Sequence, residues 1–486
     1  MPDHPRRPTE PLLLFELRRV GHGALAVLLA SGVAGCRDEA ESAGVSAGSG
    51  GDSGTQGGET STGGDETAAD LDVRPNWHQD IAALVTARCV SCHREGGLAF
   101  PMSSYEKTAP WATVMAHATA DRQMPPWHAV ETDECTPPHA FENDARLTDE
   151  EIEQIGAWAD LGAPEGDPMQ AAPLPEPMSA ALADPTAVMT MGGAVTIERE
   201  GDVLDQFHCL SFDPGTTEDV YLDGMQVVAG NSKVLHHILI FIDESADSAS
   251  WPSGVLEDCG GGSGAEGATL VGAWLPGAFP IETPDDVGIR LPAGARLVFN
   301  VHYHAAVTGP QVDDSTGLAL RWSSERPQWI SEFGLVGAPG DGASLTGEFL
   351  IPAGATGHTE TLDWEVPDVG DGDIRIWSIG HHMHKVGVDM KTTVLRGGQE
   401  HCLAQTPRWD YGWQRLYEYD MPVDDVFAVE PGDVVRVRCT YDNTLNNPFV
   451  VEALSEVGLV EPQDVRLGEG TLDEMCLAGI GVAVRP

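Results

Sequence analysis

Ile376–Met390 reads IWSIGHHMHKVGVDM, an apolar and aromatic run that leads straight into His381, His382, Met383 and His384. An imidazole buried in such a run must find hydrogen-bond partners or a metal, because a buried polar group without either is costly. On an extended strand, residues two apart share a face, so His382 and His384 can bind one metal together. A pair of imidazoles still needs a third ligand.

Two more histidine-bearing runs have the same character. Val234–Ile242, VLHHILIFI, sets His236 and His237 side by side in an apolar strand, where neighbours normally point to opposite faces. Both reach one ion only if the strand bulges or ends there, or if the rings reach round from opposite sides in a T-shaped arrangement. Val298–His304, VFNVHYH, offers His302 from another strand, with Asn300 on the same face.

These runs belong to a long stretch of β character. From about residue 190 onward helical periodicity largely disappears, and alternating or β-branched runs at 218–222, 234–242, 295–303, 374–379, 388–395 and 434–440 are separated by Gly, Pro and Asp turns. This pattern suits sandwiches or barrels and predicts two jelly-roll-like domains, with a boundary near Ser323–Pro327. The 486 residues are enough for two to four domains, and 41% hydrophobic residues suffice for real cores. A formal charge of -49 argues against nucleic acid or an anionic membrane face as partner, since both would repel the chain. There is no GxSxG motif and no obvious nucleophile beside the histidines, so a hydrolase is poorly supported.

The N-terminal third is different. Apolar residues at 77, 81, 84 and 85 predict a helix that feeds directly into Cys89-Val-Ser-Cys92-His93. Two thiols at this spacing can add to the vinyl groups of haem, leaving the adjacent imidazole to bind iron, which makes haem c the expected cofactor. A zinc knuckle would need two more nearby ligands, and a thioredoxin-like pair would not need the histidine. For the sixth iron ligand Met124 is chosen from Arg122-Gln-Met124-Pro-Pro-Trp127, because two prolines stiffen that loop. Met102, Met115, His117 and His128 are its competitors. Thr148 and Glu151 form a capping box for a later helix whose apolar residues recur at 152, 155, 158 and 161 and which Gly162 ends. Residues 75–167 thus resemble a small class I cytochrome c, which implies a few helices round the haem and a role in carrying electrons.

Upstream, Arg6, Arg7, Arg18 and Arg19 precede a short apolar run from Gly23 to Ser31, the charge order of a secretory signal and too short to span a bilayer. Val33-Ala34-Gly35-Cys36 resembles a bacterial lipobox, which implies lipidation of Cys36. The expected order is a signal peptide over 1–35, a Gly/Ser/acidic linker over 36–74 with almost nothing to bury, the cytochrome c-like domain over 75–167 and a Pro-rich linker over 168–189. The implied location is a membrane-anchored lipoprotein in the periplasm or on the surface of a Gram-negative cell. Nine cysteines, largely outside the CxxC pair, suit an oxidising compartment.

Taken in order, HH in an apolar strand, VHYH about 65 residues later, HMHKVGVDM and then DEMC near the end resemble the copper type II, ascorbate-dependent monooxygenases, over roughly residues 190–486. The resemblance implies two jelly-roll domains, 190–326 and 327–486, with one copper each facing a solvent-filled cleft. It implies that His236, His237 and His302 hold one copper, and that His382, His384 and Met475 hold the second and carry the catalysis. Imidazole with thioether is a soft set that favours copper, Cu(I) included, over zinc, calcium or magnesium. O2 would be activated at the thioether-bearing centre and a substrate C–H bond hydroxylated, while the three-histidine centre stores the second electron. A disulfide between Cys439 and Cys476, bracing the methionine loop, is also implied. Cys135, Cys209, Cys259 and Cys402 have no assigned partners. His381 and His304 are either outer-shell groups or alternative ligands, and Met383 reads as core.

After Met475-Cys476 the chain has Leu477-Ala478-Gly479, where the peptide-hydroxylating members of that family carry Asn and Tyr for a substrate carboxylate. Peptidylglycine is therefore a doubtful substrate. The expected partners are a small organic molecule, O2, and electrons from a periplasmic donor or an ascorbate-like reductant. A tethered haem gives such electrons a high local concentration. The competing expectation is a non-catalytic haem and copper electron-transfer or copper-binding lipoprotein.

Overall fold

The computed structural model describes residues 74–95, 99–177, 181–198, 205–275, 278–304, 309–337, 344–345, 348–368, 372–468 and 472–485. The expected signal peptide, Cys36 and nearly all of the acidic linker lie outside the described residues, as does the side chain of His304. None of the helices described is long and apolar enough to cross a membrane.

The N-terminal unit is helical. A π-helical turn at Trp77–Ile81 runs into α1 (Ala82–Arg88), and α2 (Ala112–Ala120) packs against α3 (Asp149–Asp160). The expected capping box forms: the Thr148 hydroxyl accepts from Glu151 N, and the Glu151 carboxylate accepts from Thr148 N. Ile81, Ile155 and Trp158 fill the small core, and the Trp158 Nε1 donates to Pro164 O.

The rest is mostly β-sheet. The principal strands are β1 (Ala187–Thr190), β2 (Asp205–Phe212), β3 (Val220–Val228), β4 (Leu235–Asp243), β5 (Thr269–Trp274), β6 (Val287–Leu291), β7 (Arg296–His304) and β8 (Gly317–Ser323). They continue with β9 (Trp329–Val336), β10 (Thr356–Glu365), β11 (Asp373–His382), β12 (Gly387–Arg396), β13 (Gln399–Thr406), β14 (Leu416–Glu418), β15 (Val434–Asp442) and β16 (Leu477–Arg485). One long sheet runs β1-β8-β3-β6-β9-β16-β11-β14. Its first half is covered by a sheet containing β2-β7-β4-β5, and its second half by one containing β10-β15-β12-β13.

Each sandwich has its own apolar core: Leu222, Ile240, Phe299 and Leu320 in the first, Ile379, Met390, Leu403, Val437 and Ile480 in the second. The alternation that predicts strands is plain in β15, where Val435, Val437, Cys439 and Tyr441 turn inward and the residues between them are only half-buried. The expected boundary at 323–327 falls between β8 and β9. The two sandwiches are nevertheless one continuous sheet there, because β9 pairs in parallel with β6 through Trp329↔Val287 and Ile330↔Gly288.

The segment between α2 and α3 leaves the helical unit and lies across the C-terminal sandwich. Cys135 is disulfide-bonded to Cys402 on β13, Val130 N donates to Gln405 O at 3.1 Å, and Glu142 N donates to Glu418 O at 2.8 Å. Phe141 stacks on Tyr419 with ring centroids 5.2 Å apart. Residues 127–146 therefore form a strap that fixes the helices to this sandwich.

Candidate metal and haem sites

β4 and β7 are antiparallel neighbours whose register steps from His302↔His237 to Tyr303↔Leu235, leaving His236 as the extra, bulged residue. A bulge re-aims a side chain, and this one resolves the conflict between adjacent histidines on one strand. The His236 and His237 Nδ1 atoms are 3.0 Å apart, and those of His237 and His302 are 3.3 Å apart. One nitrogen from each ring falls within 4.8 Å of the other two, and the three rings are half-buried. Phe207, opposite His302 in the β2–β7 register, stacks on its ring at 4.6 Å and holds its orientation. Three convergent imidazole nitrogens on two paired strands form a donor set that suits a transition metal. Asn300 points its amide away from these rings: its Nδ2 donates to Gly260 O and Gly262 O at 2.6 Å each, pinning the loop that the Cys209–Cys259 disulfide also anchors.

The second group forms where β11 ends. The rings of His382 and His384 are 5.3 Å apart and nearly perpendicular, at 85°. The Nδ1 of His382 pairs with Gln414 Oε1 at 2.6 Å, and that of His384 with Asp473 O at 3.0 Å. Both acceptors require an Nδ1–H, so each ring presents an unprotonated Nε2, and partners of this kind are how a protein fixes the tautomer of a ligating histidine. Burial pushes the His384 imidazolium down to about 3, with neighbouring His382 adding to the shift, and burial lowers His382 as well. Both rings are thus held in the neutral, metal-binding form.

Met475 lies in the loop that supplies Asp473. Its N–H donates to the Glu474 carboxylate at 2.8 Å, its carbonyl accepts from the Tyr441 hydroxyl at 3.0 Å, and the next residue, Cys476, is disulfide-bonded to Cys439. The fully buried Glu474 carboxylate also accepts from the backbone N–H groups of His384 and Val386, tying the methionine loop to the histidine turn. His381 is a core residue: its Nδ1 meets the Thr406 hydroxyl and its Nε2 the Thr392 hydroxyl, each at 3.0 Å, so neither nitrogen faces the His382–His384 pair. Met383 is fully buried.

In the helical unit, Cys89 caps α1, and His93 N donates to Cys89 O at 2.9 Å. Cys89 and Cys92 are free thiols. Burial, then the Cys92 charge, pushes the Cys89 thiol up to about 12, the opposite of the lowered value a thioredoxin-like pair needs. The His93 Nδ1 donates to Phe100 O at 3.0 Å, leaving Nε2 for an iron, and Phe100 in turn stacks on Trp111 at 4.0 Å. Two unpaired thiols beside an imidazole with a fixed tautomer fit a covalently held haem.

Met124 lines a cleft with Leu147, Ile152 and Trp127, and neither the CxxCH cysteines nor His93 lines it. Of its competitors, Met102 and Met115 belong to the helical core beside Cys89, while His117 is exposed. The sequence pattern missed Gln414, Glu474 and Phe207. Only Glu474 lies near a motif, and nothing in the DEMC run separates a buried acceptor from a surface acid.

Residues 356–456 match the family described as "Copper type II ascorbate-dependent monooxygenase, C-terminal domain". That span contains His382, His384, Gln414 and Cys439 and ends before Met475. Among curated proteins, "Peptidyl-glycine alpha-amidating monooxygenase A" of Xenopus laevis is 24% identical over 274 residues, 54% of this chain and 26% of that protein. "Dopamine beta-hydroxylase" of Canis lupus familiaris is 25% identical over 268 residues, 52% of this chain and 38% of that protein. "Putative DBH-like monooxygenase protein 2" of Homo sapiens is 23% identical over 291 residues, 57% of this chain and 50% of that protein. The aligned chain thus spans no more than half the length of these relatives. Among solved structures, the major capsid protein P2 from Bacteriophage PM2 gives a TM-score of 0.20 at 11% identity, covering 58% of this chain and 97% of that one, too little likeness to inform the fold.

Proposed function

We propose that this chain is a copper-dependent monooxygenase that hydroxylates a C–H bond of a small organic substrate, with electrons delivered through a haem c held in its helical unit. The observation that carries this reading is the presence of two unlike donor sets in one sheet assembly. His236, His237 and His302 converge through Nδ1, while His382 and His384 spend Nδ1 on Gln414 and Asp473 beside a pinned Met475. A protein that merely stores copper has little need for two chemistries.

In this reading the three imidazoles hold one copper, and His382, His384 and Met475 hold the other. Bound copper would supply one-electron redox chemistry and the activation of O2. The chain's own part is to fix ring tautomers, to hold the methionine backbone and to keep both rings neutral. Cys89 and Cys92 would bond the haem and His93 would ligate its iron, with Met124 the proposed sixth ligand. A one-electron donor in the periplasm, or an ascorbate-like reductant, would refill the haem. Export with lipidation at Cys36 belongs to the same proposal, and the acidic linker would then hold the body off the membrane surface.

The test is to measure copper and haem content of the full chain together with O2 uptake over a panel of hydroxylatable small molecules. Two coppers, one haem and O2 uptake coupled stoichiometrically to a hydroxylated product are expected. The same metals with no coupled O2 uptake would replace this reading with that of an electron-transfer lipoprotein.

A further inference from the structure

The loop 407–415 joins β13 to β14 and lies between the His382–His384 pair and the helical unit that holds the haem in the proposed function, on which the following inference rests. On one side it walls the His382–His384 pair. Trp409 Nε1 donates to His384 O at 3.1 Å, the Tyr411 ring lies 6.3 Å from that of His384, and Gln414 Oε1 accepts from His382 Nδ1 at 2.6 Å. On the other side it meets the helical unit. Arg408 Nη1 donates to Asp121 O at 3.3 Å, and the Arg415 guanidinium lies 5.1 Å from the Trp127 ring. Trp127 shares its cleft with Met124.

Arg415 is held between two aromatic faces, Trp127 from the strap and Phe279 from the N-terminal sandwich, each 5.1 Å away. The strap that carries Trp127 is bonded to the C-terminal sandwich by Cys135–Cys402 and by the Val130 and Glu142 main-chain bonds. The helical unit is therefore fastened beside this loop and does not swing on a free tether. The three-histidine group is built in the other sandwich, on β4 and β7.

Electron transfer falls steeply with distance and is favoured through bonded and hydrogen-bonded contacts. We propose that electrons enter at the His382–His384 centre through the 407–415 loop, with Gln414 as the positioning residue at the handover. The step moves one electron from ferrous haem, held by Cys89, Cys92 and His93, to cupric ion held by His382 and His384. It leaves ferric haem and cuprous ion, and no proton or group changes hands. The three-histidine centre is then filled second, from within the protein.

The experiment uses the full chain loaded with haem and copper, without O2 or substrate. A photoexcited flavin reduces the haem in a flash, and re-oxidation is followed at the haem α-band. His236→Ala/His237→Ala retains only the centre near the loop, and His382→Ala/His384→Ala only the other. Re-oxidation within about twofold of the parent in the first variant, and at least tenfold slower in the second, is expected. Gln414→Leu, compared with the parent at copper concentrations that fill both sites in each protein, should slow it about tenfold with the haem spectrum unchanged, and Gln414→Glu should restore it. Equal rates in the two double variants, or a faster second one, overturn this inference while leaving the proposed function intact. A parent chain that takes up no haem or no copper overturns both. An unchanged rate in Gln414→Leu removes Gln414 from the route.

Discussion

The two imidazole groups differ in which nitrogen they offer, and single residues decide this. At His382 and His384 the Nδ1 atoms are taken by Gln414 and Asp473, whereas at His236, His237 and His302 the Nδ1 atoms face one another. Substituting His384 by Ala should lose one copper per chain by metal analysis. His381→Ala should keep copper content and instead lower stability by about 2–3 kcal/mol in denaturant unfolding, because it leaves a cavity and takes from the buried Thr392 hydroxyl its His381 partner. A copper deficit in the His381 variant would sink its assignment to the core. Met475→His should leave the fold intact, since the backbone bonds of Met475 do not involve its side chain, yet slow turnover at least about tenfold. Hydroxylation at the parent rate would remove Met475 as a ligand. The period-two rule puts His382 and His384 on one strand face, but β11 ends at His382 and His384 lies just past it, so the two rings meet at the strand end and not along the strand. Gln414 and Glu474 were not legible, because a hydrogen bond made 32 or 90 residues away leaves no local pattern.

At the scale of elements, the runs expected at 234–242, 295–303, 388–395 and 434–440 appear as β4, β7, β12 and β15, each shifted or extended by a residue or two. Period-two alternation and the capping box are local signals, and local signals survive tertiary packing well. The expectation for His236 and His237 was conditional, and the bulge at His236 is the condition that the fold meets. The strap at 127–146 had no such signal, because its order comes from Cys135–Cys402 and from pairing with β13 and β14 edges. Cys439–Cys476 joins β15 to the residue before β16 across 37 residues, and it also holds Met475. Its replacement by two alanines should cost about 4 kcal/mol by loop-closure entropy. Because the lost restraint adjoins Met475, copper at His382–His384 should weaken while copper at the three-histidine centre keeps its affinity, which competitive chelator titration would reveal. Equal weakening at both centres would mean that the bond supports the sandwich as a whole and not the methionine loop.

For the whole molecule, the continuous sheet and the strap bring three acids to one seam: Glu142 from the strap, Glu282 from the N-terminal sandwich and Glu418 from β14. Burial, then the charges of Glu142 and Glu282, pushes the Glu418 carboxyl up to about 8. Burial, then Asp420 and Glu282, raises Glu142 in the same direction. In a chain of formal charge -49 cations are few: Arg321 pairs with Glu282 at 2.8 Å, and Arg415 only partly opposes the rise at Glu418. A carboxyl whose folded value is raised binds its proton more tightly in the folded state. Its stabilising contribution is therefore complete below the ordinary carboxylate range near 4.5 and is lost as pH rises through about 8. Thermal stability should fall from pH 5.5 to pH 8, and Glu418→Gln, which keeps the shape and never ionises, should flatten that slope. The gain should appear mainly at pH 8, at about 2–4 °C for each kcal/mol recovered. Scanning calorimetry of parent and variant at the two pH values checks this, and a variant that retains the full pH dependence would place the titrating group elsewhere than this seam.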